Sequence, residues 1–138
     1  MQNRTIYITK FDLERLEDLL AAAGEFSYRD RLDLEELEAE IQEGTLVDSK
    51  NVPPNVVTMN SRVALIDIDE NKPMIFTLTF PRDADIDKGR LSVLSPVGTA
   101  ILGHAEGDVI EWRVPAGHRC FKIERILYQP EAAGDYHL

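Results

Sequence analysis

The stretch Asn51-Val52-Pro53-Pro54-Asn55 constrains this chain more than any other. Two adjacent prolines remove two backbone donors, and a proline also turns the residue before it away from helical geometry, so no helix crosses this point. The apolar period changes there too. Before it, Leu13, Leu16, Leu19 and Leu20, then Leu34, Leu37 and Ile41, recur at three and four residues, the spacing of one helix face. After it, runs such as Met74-Ile75-Phe76-Thr77-Leu78-Thr79-Phe80 and Val109-Ile110-Glu111-Trp112-Arg113-Val114 read as strands. Segregated helical and strand regions mean α+β. The expected division is 1–48, a helical unit, and 49–138, a sheet unit, with 45–55 as linker.

Local signals fill in the two units. Thr5 to Ile8 reads as a short strand or extended lead. Thr9-Lys10-Phe11-Asp12 has the form of a capping box, with Asp in its fourth position, and Gly24 closes that helix. Ser27 with Asp30 starts a second helix, and Gly44 ends it. A loop this short leaves both leucine stripes one way to be buried, a short antiparallel hairpin of coiled-coil type. Each limb of about 15 residues is roughly 22 Å long. In the second unit, Asp69-Glu70-Asn71-Lys72-Pro73 and Glu106-Gly107-Asp108 are turns. Pro115-Ala116-Gly117-His118 joins two strands, and residues 81–89 form a polar loop. Ser95-Pro96 has the N-cap and first-turn residues of one short helix, stopped by Gly103. The tail 129–138 is expected to be irregular.

Charge narrows the choice of partner. The net charge is −10. Residues 1–48 hold 13 acidic and 5 basic side chains, and residues 49–138 hold 12 and 10. Direct, specific nucleic-acid binding needs a basic face, and the helical unit is the reverse of one. An acidic arm suits a basic protein groove, or simply a solvated helix face. No apolar run approaches membrane-spanning length, and the N-terminal run at residues 5–8 is too short for a signal core. The single cysteine, Cys120, allows no internal disulfide and sits in an apolar-alternating stretch. A cytoplasmic protein is expected.

Catalytic and metal patterns are scarce. Ser95, His104 and Asp108 can be written as a triad, but Ser95 already has a role as N-cap and no nucleophile elbow surrounds it. His118 and His137 are expected to be solvated. Asp83, Asp85 and Asp87 resemble the start of a calcium loop, but Leu94 stands where the closing Glu belongs. At the hairpin tip, Glu25 and Asp30 flank Phe26-Ser27-Tyr28-Arg29. Helix capping accounts for these acids, and Arg29 and Arg31 oppose a metal site. No catalytic residue, metal site or cofactor is expected.

Four segments together carry a family resemblance. They are Val56 to Val63 (VVTMNSRV), Ser92 to Gly103 (SVLSPVGTAILG), Glu106-Gly107-Asp108, and Tyr128 to Tyr136 (YQPEAAGDY). The middle two resemble the C-terminal domain of the GreA/GreB transcription elongation factors. The outer two resemble Rnk-type regulators within that superfamily. The resemblance implies an FKBP-like C-terminal domain preceded by a short coiled coil. It implies RNA polymerase as protein partner, docked at the rim of the secondary channel, with Leu94, Ser95, Pro96 and Val97 at the contact. Leu94 replaces the acid that Gre factors carry before Ser-Pro. In Gre factors two acids at the tip of a long coiled coil help hold a catalytic magnesium ion for transcript cleavage. Glu25, Tyr28 and Asp30 form the tip here, on a much shorter arm with no clear acidic pair. The implied function is therefore non-enzymatic: occupying the docking site, competing with Gre-type factors and not stimulating cleavage. A cleavage factor of GreA/GreB type is the alternative. So is a peptidyl-prolyl isomerase whose pocket Trp112, Phe121 and Tyr128 would line. Oligomeric state stays open, with a monomer as the expectation.

Overall fold

Asp67 sets the first reversal of the sheet. Its carboxylate accepts from the backbone N–H groups of Asp69 and Glu70 at 3.0 and 3.2 Å, and Asn71 takes a left-handed φ of 51°, a conformation Asn tolerates. This turn joins β3 (Arg62–Asp67) to β4 (Lys72–Thr79). The structure is a computed structural model describing residues 6–21, 35, 37–114 and 117–138, with the side chains at 96 and 112–119 outside the description. β7 (Gly117–Tyr128) pairs with the other edge of β3, and β6 (Val109–Val114) pairs with β7. β5 (Arg90–Ser92) completes the order β5-β4-β3-β7-β6.

The fold class is α+β, as expected, with one departure inside the sheet. β5 runs parallel to β4. The expected polar loop between them is built from two tight turns, Pro81–Asp83 and Ile86–Lys88. Together they carry the chain back so that it re-enters the sheet in its original direction. Asp85 caps the second turn through Asp87 N–H at 3.2 Å, which accounts for the acidic spacing that resembled a calcium loop.

The N-terminal part is tied down at both ends. β1 (Tyr7–Thr9) leads into α1 (Lys10–Ala21). Residues 37–42 are again helical, and β2 (Thr45–Val47) pairs in parallel with β1. The linker read from residue 45 therefore begins as a strand. Thr45 N–H donates to the Ile6 carbonyl at 2.6 Å, and three residues are too few for periodicity to declare. The expected turn at Pro115-Ala116 lies outside the described residues.

Two faces of the sheet have different fates. Val63, Leu65, Leu78, Ile110, Phe121 and Ile123 point inward. They share one cluster with Ile6 and Ile8, with Leu16 of α1, with Leu37 of the second helical segment, and with Ile101 at the end of α2 (Pro96–Ile101). One core thus serves the helical arm and the sheet alike. The tail is not irregular: Pro130–Ala133 forms α3. Gln129 caps it by accepting from Ala132 N–H at 3.1 Å, Pro130 is at the first helical position, and Gly134 is left-handed with φ 82°. Proline at the start and glycine past the end mark a helix here.

Candidate docking site

Of the residues expected to make contact, Ser95 is fixed most tightly. Its hydroxyl donates to the Ser92 carbonyl at 2.7 Å and accepts from Gly98 N–H at 3.0 Å. Ser92 in turn uses its own hydroxyl to accept from Leu94 N–H at 3.1 Å, and Thr99 donates to the Val93 carbonyl at 2.6 Å. A Cβ at position 98 would stand 2.2 Å from the Ser92 carbonyl oxygen, so only glycine permits this close approach. The Ser92–Thr99 loop holds its shape through its own hydrogen bonds. Leu94 is buried and belongs to the core, and Val97 packs against it. Their side chains anchor the loop from beneath. Ser95 is half-buried. The side chain of Pro96 lies outside the described residues.

The second element of the site joins the arm to the sheet. Thr9 caps α1, with Asp12 N–H donating to its hydroxyl at 3.0 Å, as the capping pattern requires. Asp12 does not complete the box. It is buried in the protein interior, where its carboxylate accepts from Met59 N–H at 3.0 Å and from the Arg15 guanidinium at 2.5 Å. Burial outweighs these hydrogen bonds and pushes its pKa up to about 6. Arg15 also lies over the rings of Phe11 and Phe80, 4.0 and 4.9 Å from their centroids, a favourable stacking of cation on aromatic.

Around this carboxylate, two of the recognised segments meet. Thr58 donates to the buried Glu131 carboxylate at 2.7 Å, and the Thr58 and Ser61 hydroxyls lie 2.9 Å apart. Gln129 donates to the carbonyls of Pro53 and Val56, both at 2.8 Å. Asn60, left-handed with φ 67°, donates to the Leu138 carbonyl at 2.6 Å. The segments 56–63 and 128–136 are one joint, holding the base of the arm against the tail. The joint escaped sequence analysis because its members lie about 70 residues apart. The only advance signal was polar residues (Thr58, Ser61, Gln129, Glu131) set in otherwise apolar or turn-forming stretches.

Gly103 completes the junction. It has φ 81°, and a Cβ there would lie 2.1 Å from the Ile6 side chain. Its carbonyl accepts from Tyr7 N–H at 3.1 Å, and its N–H donates to the Val57 carbonyl at 2.8 Å. A helix stop was expected at Gly103. Its second role is to admit β1.

No catalytic set forms from the candidates. His104 Nδ1 is 3.4 Å from Asp108 Oδ2, but the Ser95 hydroxyl is committed to its own loop. Cys120 is a poor nucleophile, its thiol pKa raised by partial burial and by the Glu111 and Asp69 carboxylates. Phe121 is buried in the core, and the Tyr128 hydroxyl donates to Asp135, which holds the phenol pKa up at about 12. Phe121 therefore belongs to the packed core rather than to an open pocket, and the Trp112 side chain lies outside the described residues. Among the described residues no group of acids, histidines or cysteine could hold a metal ion. No described helix is long and apolar enough to cross a membrane. Glu25, Tyr28 and Asp30 lie outside the described residues.

Comparison with known proteins agrees with this architecture. The family described as "Rnk N-terminus" matches residues 4–43, and "Transcription elongation factor, GreA/GreB, C-term" matches residues 52–128. The "Regulator of nucleoside diphosphate kinase" of Escherichia coli K12 is 36% identical over the full length of both chains. The "Transcription elongation factor GreA" of Chlorobium phaeovibrioides is 31% identical over 107 residues, 77% of this chain and 67% of that protein. A solved structure titled "Prokaryotic transcription elongation factor GreA/GreB from Nitrosomonas europaea" is 38% identical, with a TM-score of 0.72 over 91% of this chain and all of that one. The matching segments, the shared core and the Ser-Pro loop together identify the chain as a member of the GreA/GreB superfamily and, within it, of the Rnk regulators.

Proposed function

We propose that this protein is a non-enzymatic regulator that docks on RNA polymerase in the cytoplasm. It sits at the rim of the secondary channel, competes there with Gre-type factors and does not stimulate transcript cleavage. Residues 49–138 form the docking base, with the Ser95–Pro96 loop as its contact point, and residues 1–48 form the arm. The protein acts as a monomer and makes no specific contact with nucleic acid.

The observation that carries this function is the short arm. Its two ends are pinned by the pairing of β1 with β2, which leaves only residues 10–44 to run out and back. Half of that length, wholly helical, reaches about 26 Å. A prong of that reach can occupy an entrance but not supply tip acids deep inside it. The self-bonded Ser92–Thr99 loop supports the docking half of the function. A rigid contact loses little conformational freedom on binding.

Two measurements test it. Purified protein added to a stalled elongation complex is expected to give no cleavage above background, and to reduce cleavage when titrated against a Gre factor. Cleavage stimulated by this protein alone refutes the reach argument. Gly98→Ala, which disturbs the loop at the Ser92 carbonyl, is expected to weaken binding to core polymerase about tenfold or more.

A further inference from the structure

The outer face of the sheet carries a pattern that polymerase docking through the Ser95 loop does not use. Directly paired residues share a face, so the register places four rows there. The first runs Arg90, Thr77, Arg62, Tyr128. The second runs Ile75, Ala64, Arg125, the third Pro73, Ile66, Lys122, Val109, and the fourth pairs Cys120 with Glu111. Ile75, Ala64, Pro73 and Ile66 form an apolar block. Arg90 and Arg62 border one side of it, and Arg125 and Lys122 another.

This block is open. Ile75 is 48% exposed, Pro73 is exposed, and Ala64 and Ile66 are half-buried. The helices with described core contacts lie on the other face, where Leu16, Leu37 and Ile101 join the core. All four cations are exposed, and none is in an ion pair among the described residues. Four cations with no ion pair among the described residues, clustered in a chain of net charge −10, are not explained by solubility, which the acids already provide. The exposed acids on these strands are Glu111, at the far end of the same face beyond Lys122 and Val109 with its carboxylate 3.7 Å from Cys120 Sγ, and Glu124, in the irregular register of β7.

We propose that this face is a second docking surface, and that it takes an acidic amphipathic helix of the partner protein. Strand spacing and rise place neighbouring cations about 7–10 Å apart. Carboxylates one or two turns apart on a helix are spaced about 5 and 11 Å. An apolar stripe flanked by such acids would lie on Ile75 and Ile66 while its carboxylates meet Arg62, Arg125 and Lys122. Nucleic acid fits less well: it would face the repulsion of the whole molecule, and the one described aromatic ring on this face, Tyr128, has its hydroxyl held by Asp135. The proposal presupposes polymerase docking and assigns the helix to RNA polymerase, as a contact separate from the Ser95 loop.

The test is binding of the full chain to immobilised core polymerase, from about 50 to about 300 mM salt, alongside the triple variant Arg62→Glu/Lys122→Glu/Arg125→Glu. A thermal melt shows whether the variant folds, and Arg62→Lys/Arg125→Lys serves as the charge-conserving control. The proposal expects the triple variant to melt like the parent, bind at least about tenfold more weakly and lose most of the salt dependence. The lysine control should bind close to normally. If the parent binds and the triple variant matches it in affinity and salt dependence, the outer face is not a docking surface, while polymerase docking stands. If the parent fails to bind polymerase at all, both fall. A gel shift with duplex and single-stranded DNA forms the remaining arm, and binding there that the triple variant abolishes would give the face to nucleic acid and overturn the proposal.

Discussion

Asp12 shows how one side chain can look ordinary in sequence and be unusual in the fold. Its position, three residues after Thr9, predicts capping, and Thr9 does cap. Periodicity cannot show that Met59, 47 residues away, draws the carboxylate inward. The folded pKa of about 6 lies above the unfolded value of about 3.9. The protonated form is therefore favoured in the native state. This contribution is complete below about pH 4 and is lost as the pH rises through 6. Asp12→Asn, neutral at every pH, should gain on the parent by about 2 kcal/mol between pH 4 and pH 7. Urea unfolding of both proteins at those two pH values checks the sign, and a difference that does not change with pH refutes it. Asp12→Ala instead leaves Met59 N–H and Arg15 without their acceptor, and should cost about 2–4 kcal/mol at neutral pH.

At the scale of elements, the junctions carry more information than the strands. Gly103→Ala would set a methyl group against Ile6 at a left-handed φ. A loss of about 2–3 kcal/mol is expected, with hydrogen exchange accelerating first at Tyr7 and Val57, whose backbone bonds meet at this glycine. Gln129→Ala removes the cap of α3 and both donors to the Pro53 and Val56 carbonyls. Limited proteolysis should then cut the tail while β3 and β7 stay intact. The helix stripes at Leu16 and Leu37, the strong strands β4 and β6, and the Ser95 cap were all legible, because each is written in local spacing or turn chemistry. β2, the parallel entry of β5, and α3 were not. β2 and β5 are three residues each, held by partners distant in sequence. α3 was missed because Pro130 and Gly134 read as breakers, when their order is that of a start and a stop. The Ser92–Thr99 loop could be read as a capped helix start. Its dependence on Gly98 could not, since the clash partner is a backbone carbonyl six residues earlier.

For the whole molecule, one core unites arm and sheet, so thermal unfolding should be a single transition that far-ultraviolet circular dichroism and Trp112 fluorescence follow together. Two separated transitions would show that the arm melts independently. The pinned ends of the arm also make its length a free variable. Because β1 and β2 fasten both feet to the same place, residues can be added to each limb in matched numbers without disturbing the platform. Seven more per limb would advance the tip by about 10 Å. The parallel strand pair works as the fixed mount of a telescoping probe, whose reach is set by a few helical turns of inserted sequence while the mount stays unchanged.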